Sequence, residues 1–509
     1  MPASSRNEWI AAVQATVTMR VKADPRQPVL VGIGTCMQRD DDFLRAREPM
    51  DLMLEAVHRA GRDSGAEQLL ASVGSIAVPK GRWRYRNPSG EIARVVGADA
   101  ATTVLASVGV LQQSLIGNAS QRIASGEIES ALIAGADAGQ RILRARQAGE
   151  RAAERQQDNL PDVSLEPHEE LLHPAELKAG IRMPVALYAI LESAWRAKRG
   201  LSVNAHRTQL GAMYQRFSEI AASNPDAWRR KPLDAFEISH SSDRNPMQAF
   251  PYTRLHCTTW NVDQAAALLL CSVGRAQALG IAPSRWVFPL ASTESNHMVA
   301  VSARAELATC LGARLAGEAA LDACGLTAAQ LDLVELYSCF PVAVEMFADA
   351  LDLDPAQDLT VTGGMPFAGG PFNNYVLQAT CRMAALIRED RSKAGLVSSV
   401  SGILTKQGFG VWAGQPTTGV FESRDLTADT ARLERVKEVA ETFVGPAVVA
   451  GYTVLHHKGQ ARRALVLADT GTGKRVLAWS DDAAVVARLE ASEFCGASIA
   501  VRDATFAPA

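Results

Sequence analysis

The feature that most limits what this chain can fold into is a repeat of its own strand and helix order. AEQLLASVGSIAV at residues 66–78 and AAQLDLVELYSCF at 328–340 align at an offset of 262. Two helices that open beside a glycine, at Gly109 and at Gly370, are offset by 261. Two independent features with nearly one offset read as an internal duplication of about 260 residues.

Within each copy, short apolar runs alternate with helical spacing. Residues 28–35 (PVLVGIGT), 73–78 and 131–136 (ALIAGA) read as buried strands. Residues 50–65 put Met53, Ala56, Val57 and Ala60 on one helical face. A helix over 109–126 closes at Ser125-Gly126. The second copy offers a helix over 314–325, a strand at 331–336 (LDLVEL), a helix over 372–388 and a strand at 394–399 (AGLVSS). This alternation predicts an α/β fold, a largely parallel sheet with helices on its faces.

The charge-rich residues between the copies read as an inserted helical and loop subdomain. After residue 425 the pattern changes. Residues 444–455, 463–469 and 475–480 look like strands joined by turns at 457–460 and 470–474, predicting a small β-rich, barrel-like or sandwich-like C-terminal domain. The expected division is an N-terminal extension 1–27, a first half 28–137 with 255–275, an inserted domain 138–254, a second half 276–424 and a β domain 425–509.

Composition excludes several classes. A chain of 509 residues with 47% apolar and 21% charged residues is globular and long enough for two to four domains. Its net charge of −3 predicts no nucleic-acid surface. No apolar run approaches a membrane span. The apolar stretch 9–21 is broken by Gln14, Thr16, Thr18 and Arg20, unlike a signal peptide. A cytoplasmic protein is expected. The eight cysteines form no C-x-x-C pair and no cluster with histidines, so no metal site is predicted. In a reducing compartment such cysteines are buried apolar residues or occasional nucleophiles.

Among local motifs, DTGTGK at 469–474 lacks the spacing and the Ser or Thr of a phosphate loop and reads as a hairpin turn. His456 and His457 read as a solvated hairpin end, and His168 and His173 as surface residues of an acidic loop. Gly363-Gly364 and Gly369-Gly370-Pro371 stand just before a helix. Glycine there lets a backbone approach a ligand and present N–H groups to a carbonyl or oxyanion, or simply lets two halves of a sheet pack tightly.

Taken together, RIASGEIESALIAGAD (122–137), VDQAAALLLCS (262–272), DLVELYSCF (332–340), GGMPFAGGPFNN (363–374) and GLVSSVSG (395–402) resemble the thiolase superfamily. The resemblance spans 29–420, and the β-rich tail resembles the appendage of its thiolase-like type 1 group. It implies a duplicated five-layered αβαβα core and an acyltransferase, acetyl-CoA acetyltransferase-like ancestry with a place in lipid metabolism. It also implies coenzyme A or an acyl-CoA as ligand, with no permanently bound cofactor.

Thiolases use a nucleophilic cysteine at a helix N-terminus, an activating Gly-His-Pro histidine and a second cysteine as acid and base. By resemblance the nucleophile position is Gly109, the histidine position Gly370 and the Cys-x-Gly cysteine position Val400, with Gly402 retained. The family's Asn position is Tyr337. Cys339 in YSCF matches the cysteine of the sterol-carrier-type His-Asp-Cys-Phe loop and is the one candidate catalytic group. Thr259, beside Thr258, matches the pantetheine contact, and Trp260 narrows the tunnel. Lys178, Arg182, Arg196, Lys198 and Arg199 are candidates for the nucleotide phosphates.

The expectation is a CoA-thioester-binding protein in which acyl-cysteine chemistry is absent or very slow. The alternative is a non-catalytic scaffold. The partners implied are a CoA thioester and either a second copy or another protein engaged through the C-terminal domain.

Overall fold

The computed structural model describes residues 24–167, 171–181, 183–354, 356–416 and 421–508. Most of the expected N-terminal extension, His168 and Arg182 lie outside the described residues.

The first strands are β1 (Pro28–Gln38), β2 (Ser75–Pro79), β3 (Thr102–Ala106), β4 (Ser130–Ala138) and β5 (Val163–Leu165). They are followed by β6 (Met247–Ala249), β7 (Tyr252–Thr253) and β8 (Asp263–Ser272). One sheet has the order β1-β8-β4-β2-β3-β5. Next come β9 (Phe288–Ser295), β10 (Leu333–Glu335), β11 (Ala394–Ser401), β12 (Lys406–Ala413) and β13 (Glu422–Asp425), which form a second sheet ordered β10-β11-β12-β9-β13.

The duplication is visible in the topology. In β1-β8-β4-β2 the pairings are antiparallel, antiparallel and parallel, and β9-β12-β11-β10 repeats them. β4 is buried along its whole length and β8 nearly so. Such continuous burial without alternation is what a sheet covered on both faces requires. The helices Gln112–Ala124 and Tyr375–Glu389 pack between the sheets, and Pro49–Ser64 and Leu311–Cys324 cover the outer faces. The result is the expected five-layered αβαβα core. The glycines of GIG on β1 allow that close layering, since a Cβ at Gly34 would lie 2.0 Å from the Ala56 carbonyl oxygen.

The halves differ at their edges, where β3 lies beyond β2 but β13 beyond β9, and in one connection. Between β11 and β12 the chain makes a short turn over 402–405. Between the equivalent β4 and β8 it adds the helices Pro184–Lys198 and Val203–Ser223 and several smaller elements. This insert is not self-contained: β5 joins the first sheet, while β6 and β7 extend the sheet of the C-terminal domain.

That domain contains β14 (Val444–His457), β15 (Gln460–Thr470), β16 (Arg475–Ser480), β17 (Ser498–Arg502) and β18 (Thr505–Pro508). Pairings β14–β15, β15–β16, β16–β18, β18–β17 and β17–β14 close a small barrel around its own apolar core. DTGTGK is the β15–β16 hairpin turn, as its spacing predicts. His456 is not a solvated hairpin end: its Nε2 lies 2.6 Å from Glu490 Oε1 on the helix Ala483–Ala491. His173 caps the helix Pro174–Lys178, accepting from Ala175 N through Nδ1. Among the described residues no helix is long and apolar enough to cross a membrane.

Candidate functional site

A cavity of about 650 Å³ opens where the insert meets the loops at the carboxyl ends of the second sheet. Four stretches furnish its chemistry: 257–261 leading into β8, the loop after β10, the glycine loop before the helix Tyr375–Glu389, and the turn after β11. Six of the seven residues singled out from the sequence (Thr258, Thr259, Tyr337, Cys339, Gly370 and Gly402) line it, as does Val400. Gly109 does not; its neighbour Val108 does.

The first of these stretches is clipped to the glycine loop. Thr259 N donates to the Met365 carbonyl at 3.2 Å, and Gly370 N to the Thr259 carbonyl at 2.9 Å. Both threonine hydroxyls already donate to main chain, Thr258 Oγ1 to the Cys339 carbonyl (3.1 Å) and Thr259 Oγ1 to the Pro366 carbonyl (2.8 Å). Toward a ligand they are therefore acceptors, suited to an amide N–H.

Four glycines resolve the two readings of that loop. A Cβ at Gly363 would meet the Ala221 Cβ at 2.4 Å, one at Gly364 the Phe217 ring at 2.7 Å, and one at Gly369 Gln264 Oε1 at 2.3 Å. These three serve tight packing. Gly370 alone lines the cavity, and a Cβ there would stand 2.3 Å from Thr258 Cγ2. Gly109 has φ +111°, and a Cβ on it would stand 2.8 Å from Pro167 Cγ. At both Gly109 and Gly370, then, neighbouring atoms occupy the space that a side chain would need.

Cys339 is the remaining candidate group. Burial pushes its thiol up to about 12, so it is a protonated thiol at neutral pH. Tyr188 stands between it and the turn, hydrogen-bonded to the thiol and donating from its hydroxyl to the Gly402 carbonyl at 3.3 Å. The Tyr188 ring stacks on Phe340 with centroids 4.5 Å apart. Burial likewise raises the Tyr337 phenol, keeping it a neutral donor. Cys257, also at the cavity, is pushed up to about 12 by burial and the nearby Cys339. The site thus holds protonated acids and no resting thiolate.

Behind this wall, Tyr252 stacks on Phe340 and donates to Glu192. His206 Nε2 lies 2.9 Å from Glu192 Oε1 and 3.3 Å from Glu345 Oε1, all buried. Their ligand atoms lie within 4.8 Å of one another, close enough to hold a metal ion. Glu192 and Glu345 raise His206 to about 10 against the effect of burial, while burial and the Glu192 charge push Glu345 well above the usual carboxylate range, so the imidazolium pairs with the Glu192 carboxylate. None of the three lines the cavity.

Of the cations expected to meet phosphates, Lys178, Arg196, Lys198 and Arg199 do not line the cavity, and two of them are engaged elsewhere. Arg196 is buried between Glu493 Oε2 (2.8 Å) and the Tyr452 hydroxyl (2.6 Å), tying the insert to the barrel. Arg199 pairs with Asp349 and lies over the Trp195 ring. The cations at the cavity are Arg229 and Arg254, which sequence reasoning missed. The aromatic lining of Tyr188, Trp228, Phe340 and Phe372 was also missed. No spacing signals these residues, because five separate segments deliver them.

No family model matches the chain, and no curated protein matches it by sequence. Solved structures do. A monomeric SCP2-thiolase like protein type 1 from Mycobacterium smegmatis is 25% identical, with a TM-score of 0.80 over 96% of this chain and 100% of that one. The chain belongs to the thiolase-like superfamily. The fold of this thiolase-like chain is shared at lower identity with an Ltp2-ChsH2(DUF35) aldolase (17% identical, TM-score 0.58, 77% of this chain and 98% of that one). It is also shared with the dimeric peroxisomal thiolase of Saccharomyces cerevisiae (14% identical, TM-score 0.54, 77% of this chain and 98% of that one).

Proposed function

We propose that this thiolase-like chain binds a CoA thioester in the cavity and does not form an acyl-cysteine intermediate. The observation that carries the reading is the contrast at the cavity wall. The binding loops converge there, with two threonine hydroxyls as acceptors, while Gly109 and Gly370 have no room for the side chains that covalent catalysis needs. Losing groups that act as a unit removes most of the rate such a site supplies. Cys339 and Tyr337, both protonated, suit hydrogen-bond donation to a carbonyl better than nucleophilic attack. The aromatic lining suits a bulky apolar acyl group. The Cys339, Thr258, Thr259 and Tyr337 assignments, the five-part division of the chain and a cytoplasmic location belong to the same proposal.

Calorimetric titration with CoA and acetyl-CoA, paired with intact-mass analysis, tests it. Saturable binding without an acyl adduct is the expected result. A stoichiometric acetyl-cysteine sinks the non-covalent reading, and no binding at millimolar ligand sinks the CoA reading.

A second reading, a scaffold acting through the C-terminal barrel, draws on Val444 and Val448, which are exposed on one side of β14. The Ltp2-ChsH2(DUF35) aldolase, named for two components, is a precedent for a partnered thiolase fold. A second copy is disfavoured along β3, because β5 already pairs with the outer edge of that strand. Light scattering of the purified chain tests this; a dimer mass that β5 variants leave unchanged would place an interface elsewhere.

A further inference from the structure

Behind the cavity wall, three helices each deliver one titratable side chain to a single buried point. Glu192 comes from the helix Pro184–Lys198 and His206 from Val203–Ser223. Glu345 comes from Pro341–Ala350, which begins directly after Cys339 and Phe340. Glu345 stands 139 residues from His206 in the chain, so no sequence spacing announces the group. It joins two helices of the insert to one of the second half.

One hydrogen does not satisfy this arrangement. Nε2 of His206 carries at most one, and it points one way. It serves Glu345 Oε1 at 3.3 Å. Glu192 Oε1 is nearer, at 2.9 Å, but among the described residues neither it nor Glu345 Oε2 accepts a hydrogen bond. His456 shows the pairing when one proton suffices: a single oxygen, from Glu490, meets its Nε2 at 2.6 Å in a hydrogen bond. Two oxygens converging on one nitrogen at 2.9 and 3.3 Å fit a different geometry. Ligands about 2.0–2.2 Å from a first-row metal ion, at octahedral or tetrahedral angles, stand about 2.8–3.6 Å apart.

Two more buried groups face the same space. The Tyr214 hydroxyl and His256 Nε2 have no hydrogen-bond partner among the described residues. Burial pushes the Tyr214 phenol well above its ordinary value, and Cys339, Glu192, Cys257 and Glu345 add to the shift. Burial holds the His256 imidazole down to about 3, with Glu192 and His206 acting on it in opposite senses. Both side chains therefore lie in the field of the cluster. Buried polar groups are ordinarily satisfied, so unpartnered atoms of Glu192, Glu345, Tyr214 and His256 around one point call for a group among them. Charge gives its sign. Two carboxylates and a neutral imidazole are balanced by a dipositive ion, whereas one proton on His206 leaves a negative charge over and keeps Glu345 protonated.

We propose that Glu192, His206 and Glu345 bind one first-row divalent metal ion, through His206 Nε2 and one oxygen of each carboxylate. In the metal-free chain the His206 imidazolium holds that place. The ion takes it as the imidazolium and the Glu345 carboxyl group each release a proton. The Tyr252 hydroxyl, donating to Glu192, orients that carboxylate from behind. None of the three ligands lines the cavity, so the ion is structural. It clips the insert to the helix that follows Cys339 and Phe340, and so fixes one wall of the cavity. Because the site is enclosed, the ion enters as the insert docks during folding.

Metal analysis tests it, on the full chain produced in defined medium with zinc, manganese or cobalt as the one transition metal added. The expected result is about one ion per chain after gel filtration in chelator, with a melting temperature about 5 °C above that of chain produced without added metal. His206→Gln and Glu345→Gln should each lower the content about tenfold or more. His456→Gln, which breaks the one-carboxylate pair, should leave it unchanged. Full content in both ligand variants overturns the location, and less than about 0.1 ion per chain with every metal overturns the site itself. Should the ligand variants fail to fold, the cobalt-grown wild type decides. Ligand-field absorption of an ion held by nitrogen and carboxylate supports the site; the spectrum of hexaaqua cobalt, or no bound cobalt, overturns it.

Discussion

Between β4 and β8 the first half of the core carries the long insert, whereas between β11 and β12 the second half carries only the turn 402–405. The four matched strands around these connections have the same order and sense. What differs is therefore what stands over the carboxyl ends of the strands. The insert leaves the first half and docks on the second: Trp195 Nε1 donates to Asp349 at 2.8 Å, Arg216 grips Asp358, and Asn224 Nδ2 donates to the Thr362 carbonyl at 3.0 Å. The first half supplies the insert and the 257–261 stretch of the cavity, and the second half its other three loops. A duplicated scaffold thus gains a single site by lengthening one of two equivalent connections.

The strongest way to break this arrangement is to unpin the insert. Removing the imidazole in His206→Leu leaves the buried Glu192 carboxylate at the joint without its cation. The expected loss is about 3–5 kcal/mol in chemical denaturation. A loss under about 1 kcal/mol would mean that the joint is held by apolar packing.

The second experiment sharpens the contrast between the two central helices. Gly109→Cys and Gly370→His place a cysteine and a histidine at the positions proposed by resemblance, ahead of the helices Gln112–Ala124 and Tyr375–Glu389. Clashes with Pro167 and Thr258 are expected to cost about 1–3 kcal/mol each, and intact mass after incubation with acetyl-CoA should show no adduct. A stable variant that acylates would show that the cavity wall yields more easily than these contacts imply.

Next comes pH. His206 stands at about 10 in the folded chain against an ordinary 6.5, so its contribution is complete below about 6.5 and is lost as pH climbs toward 10. The melting temperature of the metal-free wild type should fall over that range, and that of His206→Gln should fall less. Parallel curves would assign the alkaline loss to other groups.

The smallest effect concerns the thiols. With Cys339 and Cys257 each pushed up to about 12 by burial, iodoacetamide at pH 8 should label both about a hundredfold more slowly in the native chain than in the unfolded one. Rapid labelling of Cys339 would reveal an activating partner at the cavity.

Much of the core was legible because its signals are local. PVLVGIGT, ALIAGA and AGLVSS are apolar without alternation, and each became a strand of a sheet covered on both faces. The first three strands and the hairpin turns of the barrel were equally plain. Its last pair, β17 and β18, was not, because SIAVR and TFAP are short and half exposed. At the site, residues in loops that resemble the family's, such as Thr258, Cys339 and Gly370, could be named in advance. Arg229 and Arg254 could not, since nothing in WRRKP or YTRLH distinguishes a cavity cation from a solvated one. The same limit made Arg196 look like a phosphate ligand when it is the buried link to the barrel.

By itself, then, the sequence determined the duplication, the layers that it builds and the glycines at 109 and 370. Periodicity, small residues and missing functional groups are properties of the chain read locally. Only the tertiary structure decided that Pro167 and Thr258 occupy the space a side chain there would need, that three glycines of the loop serve packing, and that Arg229 and Arg254 line the cavity while Arg196 does not. Such outcomes depend on which distant segments share a volume and which charges pair. Neither is written in any one stretch of sequence.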